Sequence, residues 1–151
     1  MTTLSIIEAA PAHIAPIAAR MRAIDRLECA ALGHSPEAAL AIGLRGATIA
    51  WTARIDGEPQ AMFGVSPRCA LEGRGLPWFL GSDAVMRHGR ALLRFGPAFL
   101  DRMHADFARL DNIVSQGNRA AIRLLGKWGF TIEPEVHMIG NHPFHAFRRR
   151  R

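Results

Sequence analysis

Hydrophobic and polar positions along this chain change period several times, and each change marks a predicted element. Leu4 to Ala9 opens as a short strand. Pro11 suits the first turn of a helix. Ile14, Ile17, Ala18, Met21, Ile24 and Leu27 then share one face, predicting a single helix that runs to about Leu32 and stops at Gly33. Ser35-Pro36-Glu37 starts a second helix, with Ser35 as N-cap and Pro36 at the first helical position, ending near Gly46. Thr48 to Ile55 is rich in β-branched and aromatic residues, Asp56-Gly57 reads as a hairpin turn, and Gln60 to Pro67 returns as a strand. Arg68 to Gly75, with two glycines, reads as a longer turn.

The stretch from Gly75 to Phe130 organises the rest. Leu76 to Leu80 is a short apolar run that reads as a buried strand, and a long amphipathic helix follows from about Ala84 to Phe107. Leu110 to Ser115 is the next strand. Asn118 then caps a helix whose apolar face is Ala121, Ile122, Leu124, Leu125 and Trp128, and Gly129 supplies a left-handed stop. The strands on either side of the long helix are expected to be parallel neighbours joined by a right-handed crossover. Thr131 to His137 and Phe144 to Arg148 close the chain as two strands. The order is β-α-α-β-β-β-α-β-α-β-β, an α/β (α+β) single domain with a mixed sheet of about six to seven strands.

Asn118, Ala121, Leu124, Lys127, Gly129 and Phe130 match in register the motif Asn-x-x-Ala-x-x-Leu-Tyr-Glu-Lys-x-Gly-Phe. With this motif and the element order, the chain resembles the GCN5-related N-acetyltransferase (GNAT) superfamily. It departs from the motif with Leu125 in place of Tyr and Gly126 in place of Glu. The resemblance implies acetyl-coenzyme A as cofactor, bound where the fourth and fifth strands splay apart. Its pantetheine arm would lie along the fourth strand at Phe79, Leu80 and Gly81, and the strand amides near Phe79 and Leu80 would polarise the thioester carbonyl. The pyrophosphate would sit on the loop opening the long helix, where free amides and the helix dipole favour an anion.

Two registers fit that loop. Met86-Arg87-His88-Gly89-Arg90-Ala91 has the Gly and Ala but Met for the leading Arg or Gln. Ala84 to Gly89, followed by Arg90-Ala91-Leu92-Leu93, keeps the trailing pattern but has Arg for the central Gly. In either, Arg87 and Arg90 can pair with phosphate. The competing reading is a plain surface helix with its arginines in water. The resemblance also asks for a proton donor to the thiolate, and Leu125 supplies no polar atom; Ser82, Ser115, His88 or water would have to serve. Asp83, past the fourth strand, and Glu28, on the first helix, are the candidate bases by location. Asn118 falls on the cofactor side of the motif, although its capping role accounts for it fully.

Composition and charge narrow the classes. At 151 residues, 49% hydrophobic and 21% charged, the chain is a globular domain's worth. No apolar run reaches the roughly 18 residues that span a bilayer. Cys29 and Cys69 lie far apart and form no metal-type pair, so a reduced, cytoplasmic setting is expected. The formal charge of +6 is almost all arginine. Arg148 to Arg151 are expected as a solvated, frayed basic tail beyond a domain of residues 1–147. A nucleic-acid contact is disfavoured, since no aromatic residues interleave with them. His137, His142 and His145 lack metal-ligand spacing, and no metal is expected. The expected partner is a small-molecule or protein amine. The degenerate loop, the missing tyrosine and the short length also resemble small phage-encoded GNAT-like proteins, similar to an internal-virion-associated protein of short-tailed phages. That resemblance implies the alternative of a non-catalytic, virion-associated protein with a phage or host partner.

Overall fold

The computed structural model describes residues 2–151. Its strands form one 8-stranded sheet in the order β1-β2-β3-β4-β5-β8-β6, with β7 pairing on β8. The strands are β1 (Leu4–Glu8), β2 (Ile49–Ile55), β3 (Glu58–Cys69), β4 (Arg74–Gly81), β5 (Arg109–Ser115), β6 (Thr131–Ile132), β7 (His137–Ile139) and β8 (His142–Arg150). The helices are α1 (Ile14–Arg20), α2 (Ala23–Ala31), α3 (Pro36–Gly46), a four-residue α4 (Asp83–Met86), α5 (Gly89–Asp106) and α6 (Arg119–Lys127). Among the described residues only β4 and β5 pair in parallel, as the crossover through α5 requires. The expected mixed-sheet α/β architecture holds, and the local signals explain most of it. Ser35 Oγ accepts from Ala38 N at 3.1 Å, Asn118 caps α6, and Gly129 ends α6 at φ +88°.

Apolar residues fill both faces of the sheet, because alternate strand positions point to opposite sides. On one face, α5 and α6 cover Trp51, Phe63, Val65, Leu110, Val114 and Phe147. Phe63 sits at the centre, with Trp51, Phe79 and Phe99 ring centroids 5.2–5.8 Å away. On the other, α1 and α3 pack Ile17, Ala18 and Leu40 against Met62, Trp78 and Leu80. The two helices of the first face meet at Gly96, where a Cβ would stand 2.2 Å from the Trp128 indole nitrogen. Trp128 in turn donates to Leu92 O at 3.3 Å.

Four expectations change. The single first helix is two, since Met21 and Arg22 are extended and bridge to the end of β4 through Met21↔Ser82 and Arg22 N→Gly81 O at 2.9 Å. Neither residue breaks a helix by itself, so nothing local signalled this tertiary pairing. The long helix starts at Gly89 rather than Ala84, preceded by the separate turn α4. The strand expected over Thr131 to His137 is interrupted around Pro134, which has no N–H to pair, and His145 Nδ1 lies 3.0 Å from both Glu133 O and Glu135 O across the break. Finally, Arg148 to Arg150 are strand residues paired with Asp111, Leu110 and Arg109 of β5, rather than a frayed end.

Candidate active site

The site grows from a fork in the sheet. β4 and β5 are in register only at Arg74↔Arg109 and Gly75↔Leu110, and beyond that they part. At the branch, Asn112 takes the place of a missing peptide rung. Its Nδ2 donates to Pro77 O and its Oδ1 accepts from Ile113 N, both at 2.7 Å. Further along β5, Ser115 N donates to Glu28 Oε1 at 3.0 Å.

The facing edge of β4 is different. Alternate residues of an antiparallel strand turn both backbone groups to the same neighbour. Ser82 N donates to Gln60 O, so the even-numbered residues face β3, while Pro77, Phe79 and Gly81 face the gap. Pro77 O is held by Asn112, Gly81 N donates to Asp25 Oδ2 at 3.0 Å, and Gly81 O accepts from Arg22 N. Phe79 is left, among the described residues, with one N–H and one C=O turned to the gap without a strand partner. Leu80, also expected at the cofactor, turns its amide to β3 opposite Met62.

A buried polar chain closes the far end of the fork. Arg22 and Asp25 are 7% and 1% exposed, and their ion pair measures 2.8 Å. Arg22 Nη2 also donates to Asn118 Oδ1 at 3.2 Å, and Asn118 Nδ2 donates to Glu28 Oε1 at 3.0 Å. Burial raises the Asp25 pKa, opposed by the Arg22 charge and the Gly81 amide. Burial likewise raises that of Glu28, opposed by the Asn118 and Ser115 hydrogen bonds. Both bonds to Glu28 fall on Oε1, so Oε2 accepts none among the described residues. The neighbouring Cys29 thiol is pushed up to about 11 by burial and the two carboxylates, which keeps it protonated at neutral pH.

Through the fork runs a cavity of about 550 Å³ that reaches both faces of the sheet. On the α5–α6 side its wall includes Phe79, Leu92, Phe99, Leu125 and Trp128. On the α2–α3 side it includes Cys29, Leu32, Ile42, Gly43 and Trp78. Glu28, Arg22 and Asn118 line it between the two. The size falls in the usual range for small-molecule sites, roughly 300–1,000 Å³.

At the start of α5, His88 occupies the N-cap position without a side-chain cap bond, and no acidic residue lies in the first turn. The opening amides of this 18-residue helix therefore have no side-chain acceptor. A Cβ at Gly89 would meet nothing within 4 Å, and Arg87 and Arg90 are exposed on either side. These features fit an anionic group such as a pyrophosphate. His88 itself is tied to Ala84 O at 2.9 Å.

Of the residues expected from sequence, the fork gathers Phe79, Glu28 and Asn118, and Ser115 through its amide. Other expected groups face elsewhere. Asp83 is exposed at the start of α4 and does not line the cavity. Ser115 Oγ accepts from Gly117 N at 3.3 Å, and Ser82 Oγ accepts from Val85 N at 3.3 Å, so both hydroxyls serve turns. Leu125 is in the cavity wall as an apolar surface. No group of three or more potential metal ligands exists among the described residues. Arg22, Asp25 and Asn112 were missed. Asp25 falls on the apolar face with Met21 and Cys29 at helical spacing, and Asn112 interrupts an otherwise apolar strand; both are legible warnings of a buried polar role.

No protein-family model matches the chain, and no curated protein matches it. Solved structures do. Ard1 from Thermoplasma volcanium is 16% identical over 97% of each chain, with a TM-score of 0.71. A GNAT-family acetyltransferase from Streptococcus pneumoniae is 17% identical over 98% of this chain and 99% of that one, with a TM-score of 0.63. The aminoglycoside acetyltransferase AAC(6')-Ib, solved in complex with coenzyme A, is 14% identical over 99% of this chain and 95% of that one, with a TM-score of 0.68. The fork between parallel β4 and β5, the helix start facing it and these full-length matches together give the chain the fold of the GNAT acetyltransferases.

Proposed function

We propose that this protein transfers an acetyl group from acetyl-coenzyme A to an amine. The observation that carries the reading is the fork itself. One unclaimed backbone N–H and C=O at Phe79 open onto the same cavity as the Glu28 carboxylate. Acetyl-coenzyme A, when bound, supplies an acyl group activated as a thioester. Gly89 and the first amides of α5, with Arg87 and Arg90, would hold its pyrophosphate. The Phe79 N–H and C=O would pair with the pantetheine arm, or the N–H alone would donate to and polarise the carbonyl under attack. Glu28, with Oε2 unengaged, would take the proton of the incoming amine, and its raised pKa makes it a stronger base than an ordinary carboxylate. Asn118 and the Ser115 amide are positioning groups, holding Oε1. Because the wall at Leu125 is apolar, the leaving thiolate would take its proton from water rather than from a side chain.

Titration calorimetry and thermal unfolding with acetyl-coenzyme A test the reading. A ligand that binds only the folded state must raise Tm, and at a hundredfold excess over Kd by about 2.7 kcal/mol of stability. The Arg87→Ala/Arg90→Ala variant should bind at least about tenfold more weakly, with little change in Tm without ligand. No heat and no Tm shift at millimolar acetyl-coenzyme A would overturn acetyl transfer and leave the non-catalytic phage-protein alternative. Equal binding by both proteins would move the pyrophosphate away from α5.

A further inference from the structure

Resting on the acetyl-transfer reading, we propose that the acceptor is a small primary amine carrying one positive charge and one apolar, aromatic-sized body. The α2–α3 side of the cavity is where the acceptor must enter if the coenzyme occupies the α5–α6 side. That half is built from Leu32, Ile42, Gly43 and Trp78. Leu32 and Ile42 are 51% and 45% exposed, two large aliphatic side chains held at the edge of the same cavity. Gly43 lets α3 close on the Trp78 ring, since a Cβ there would stand 3.0 Å from it.

Charge selects further. Among the described residues, Glu28 is the one carboxylate in the cavity wall. Asp25, the nearest other acid, is spent on Arg22 and Gly81 N and does not line the cavity. A monoamine places its single charge at Glu28 and its apolar body against Leu32, Ile42 and Trp78. A polyamine or aminoglycoside would press further ammonium groups against the aliphatic Leu32 and Ile42, where they lose water and gain no partner. Arg22, a cation already paired with Asp25, offers them no acceptor.

Steady-state kinetics at saturating acetyl-coenzyme A tests this with phenethylamine, spermidine, kanamycin and a tripeptide with a free N-terminus. Phenethylamine is expected to show the highest kcat/KM, by at least about tenfold over the two polycations. Ile42→Asp adds a second carboxylate at the apolar edge and should narrow the ratio of phenethylamine to spermidine by about tenfold or more, while leaving the affinity for acetyl-coenzyme A unchanged. Leu32→Asp is the second variant, equally exposed and so equally tolerable to the fold. Failure of acetyl-coenzyme A to bind overturns acetyl transfer itself. Binding with spermidine, kanamycin or the peptide turned over as well as phenethylamine, or with no turnover of phenethylamine, overturns only the monoamine assignment. An unchanged ratio in both variants removes the apolar wall from the acceptor site.

Discussion

The two ends of the β4–β5 pair solve the same problem in opposite ways. At the closed end the strands are in register, and Asp111 gathers a shell of arginines. Arg74 reaches it with Nε and Nη2 at 3.1 Å each, and Arg68 and Arg109 approach to 3.3 Å. Those guanidiniums are 31–42% exposed and share their charge with water. At the open end the strands part, and side chains replace the lost rungs: Asn112 at the branch, Glu28 on Ser115, Asp25 on Gly81. The ion pair there, Arg22 with Asp25, is buried. A sheet that opens a gap must still satisfy its backbone groups, and along the β4 edge, among the described residues, side chains and Arg22 N do so at Pro77 and Gly81 but not at Phe79. The exception sits in the cavity wall, which is why the open end reads as function and the closed end as structure.

The largest expected effect lies at the buried pair. Asp25→Ala leaves Arg22 charged, buried and without its counter-ion, and frees the Gly81 amide. Such a loss costs about 3–5 kcal/mol, measurable as a lower denaturation midpoint in urea. A cost under about 1 kcal/mol would mean that water enters this end as freely as the other, and the contrast would collapse.

Next is the carboxylate that the fork presents. Glu28→Gln keeps an oxygen to accept from Ser115 N and Asn118 Nδ2, so the fold and coenzyme affinity should persist. The rate should fall on the order of a hundredfold, as for loss of a positioned base. In the wild type, burial raises the Glu28 pKa, and a carboxylate acting as base does so in its ionised form. Activity should therefore rise with pH through a limb lying above the ordinary Glu value of about 4.3. That limb should vanish in the variant. If the limb stays, the base is elsewhere.

How much of this was legible in sequence follows the same division. The capped α6, the Asp56-Gly57 hairpin and the β4–α5–β5 crossover came from local signals: N-cap side chains, turn residues and helical spacing. The open edge at Phe79 also follows from strand alternation once β4 is placed. What stayed hidden is tertiary. Met21 and Arg22 extend because Gly81 and Ser82 need partners, and no window of sequence around position 21 carries that need. The C-terminal arginines looked like a tail because charge runs are usually solvated, whereas β5 supplies the strand that orders them. Asp83 and Glu28 looked equivalent as candidate bases. Only the packing of α2 against β5 brings one into the cavity and leaves the other outside.

Asn112 ranks third. Removing its amide in Asn112→Ala leaves Pro77 O and Ile113 N without their bonds, for about 1–3 kcal/mol. Amide exchange localises the effect: the Ile113 N–H should lose protection while the Leu110 N–H, at the closed end, keeps it. Unchanged exchange at Ile113 would show that the fork is held apart by the helices alone.

The smallest effect belongs to the closed end, and salt distinguishes it from the open one. Asp111→Asn keeps the shape of the side chain and an acceptor for Arg74, but removes the charge that Arg68, Arg74 and Arg109 share. Three guanidiniums then repel one another. Because they are partly exposed, solvent screens most of that repulsion, and the loss of Tm at low salt should be well below that of Asp25→Ala. Raising the salt to about 1 M shortens the screening length to roughly 3 Å, less than the spacing of neighbouring charges. The Asp111→Asn deficit should then largely disappear. The Asp25→Ala deficit should not, since ions do not reach a pair that is 7% and 1% exposed. Equal recovery of both variants in salt would show that the two ends differ in geometry but not in solvation, and the ranking of the open end as the buried, chemically tuned one would fail.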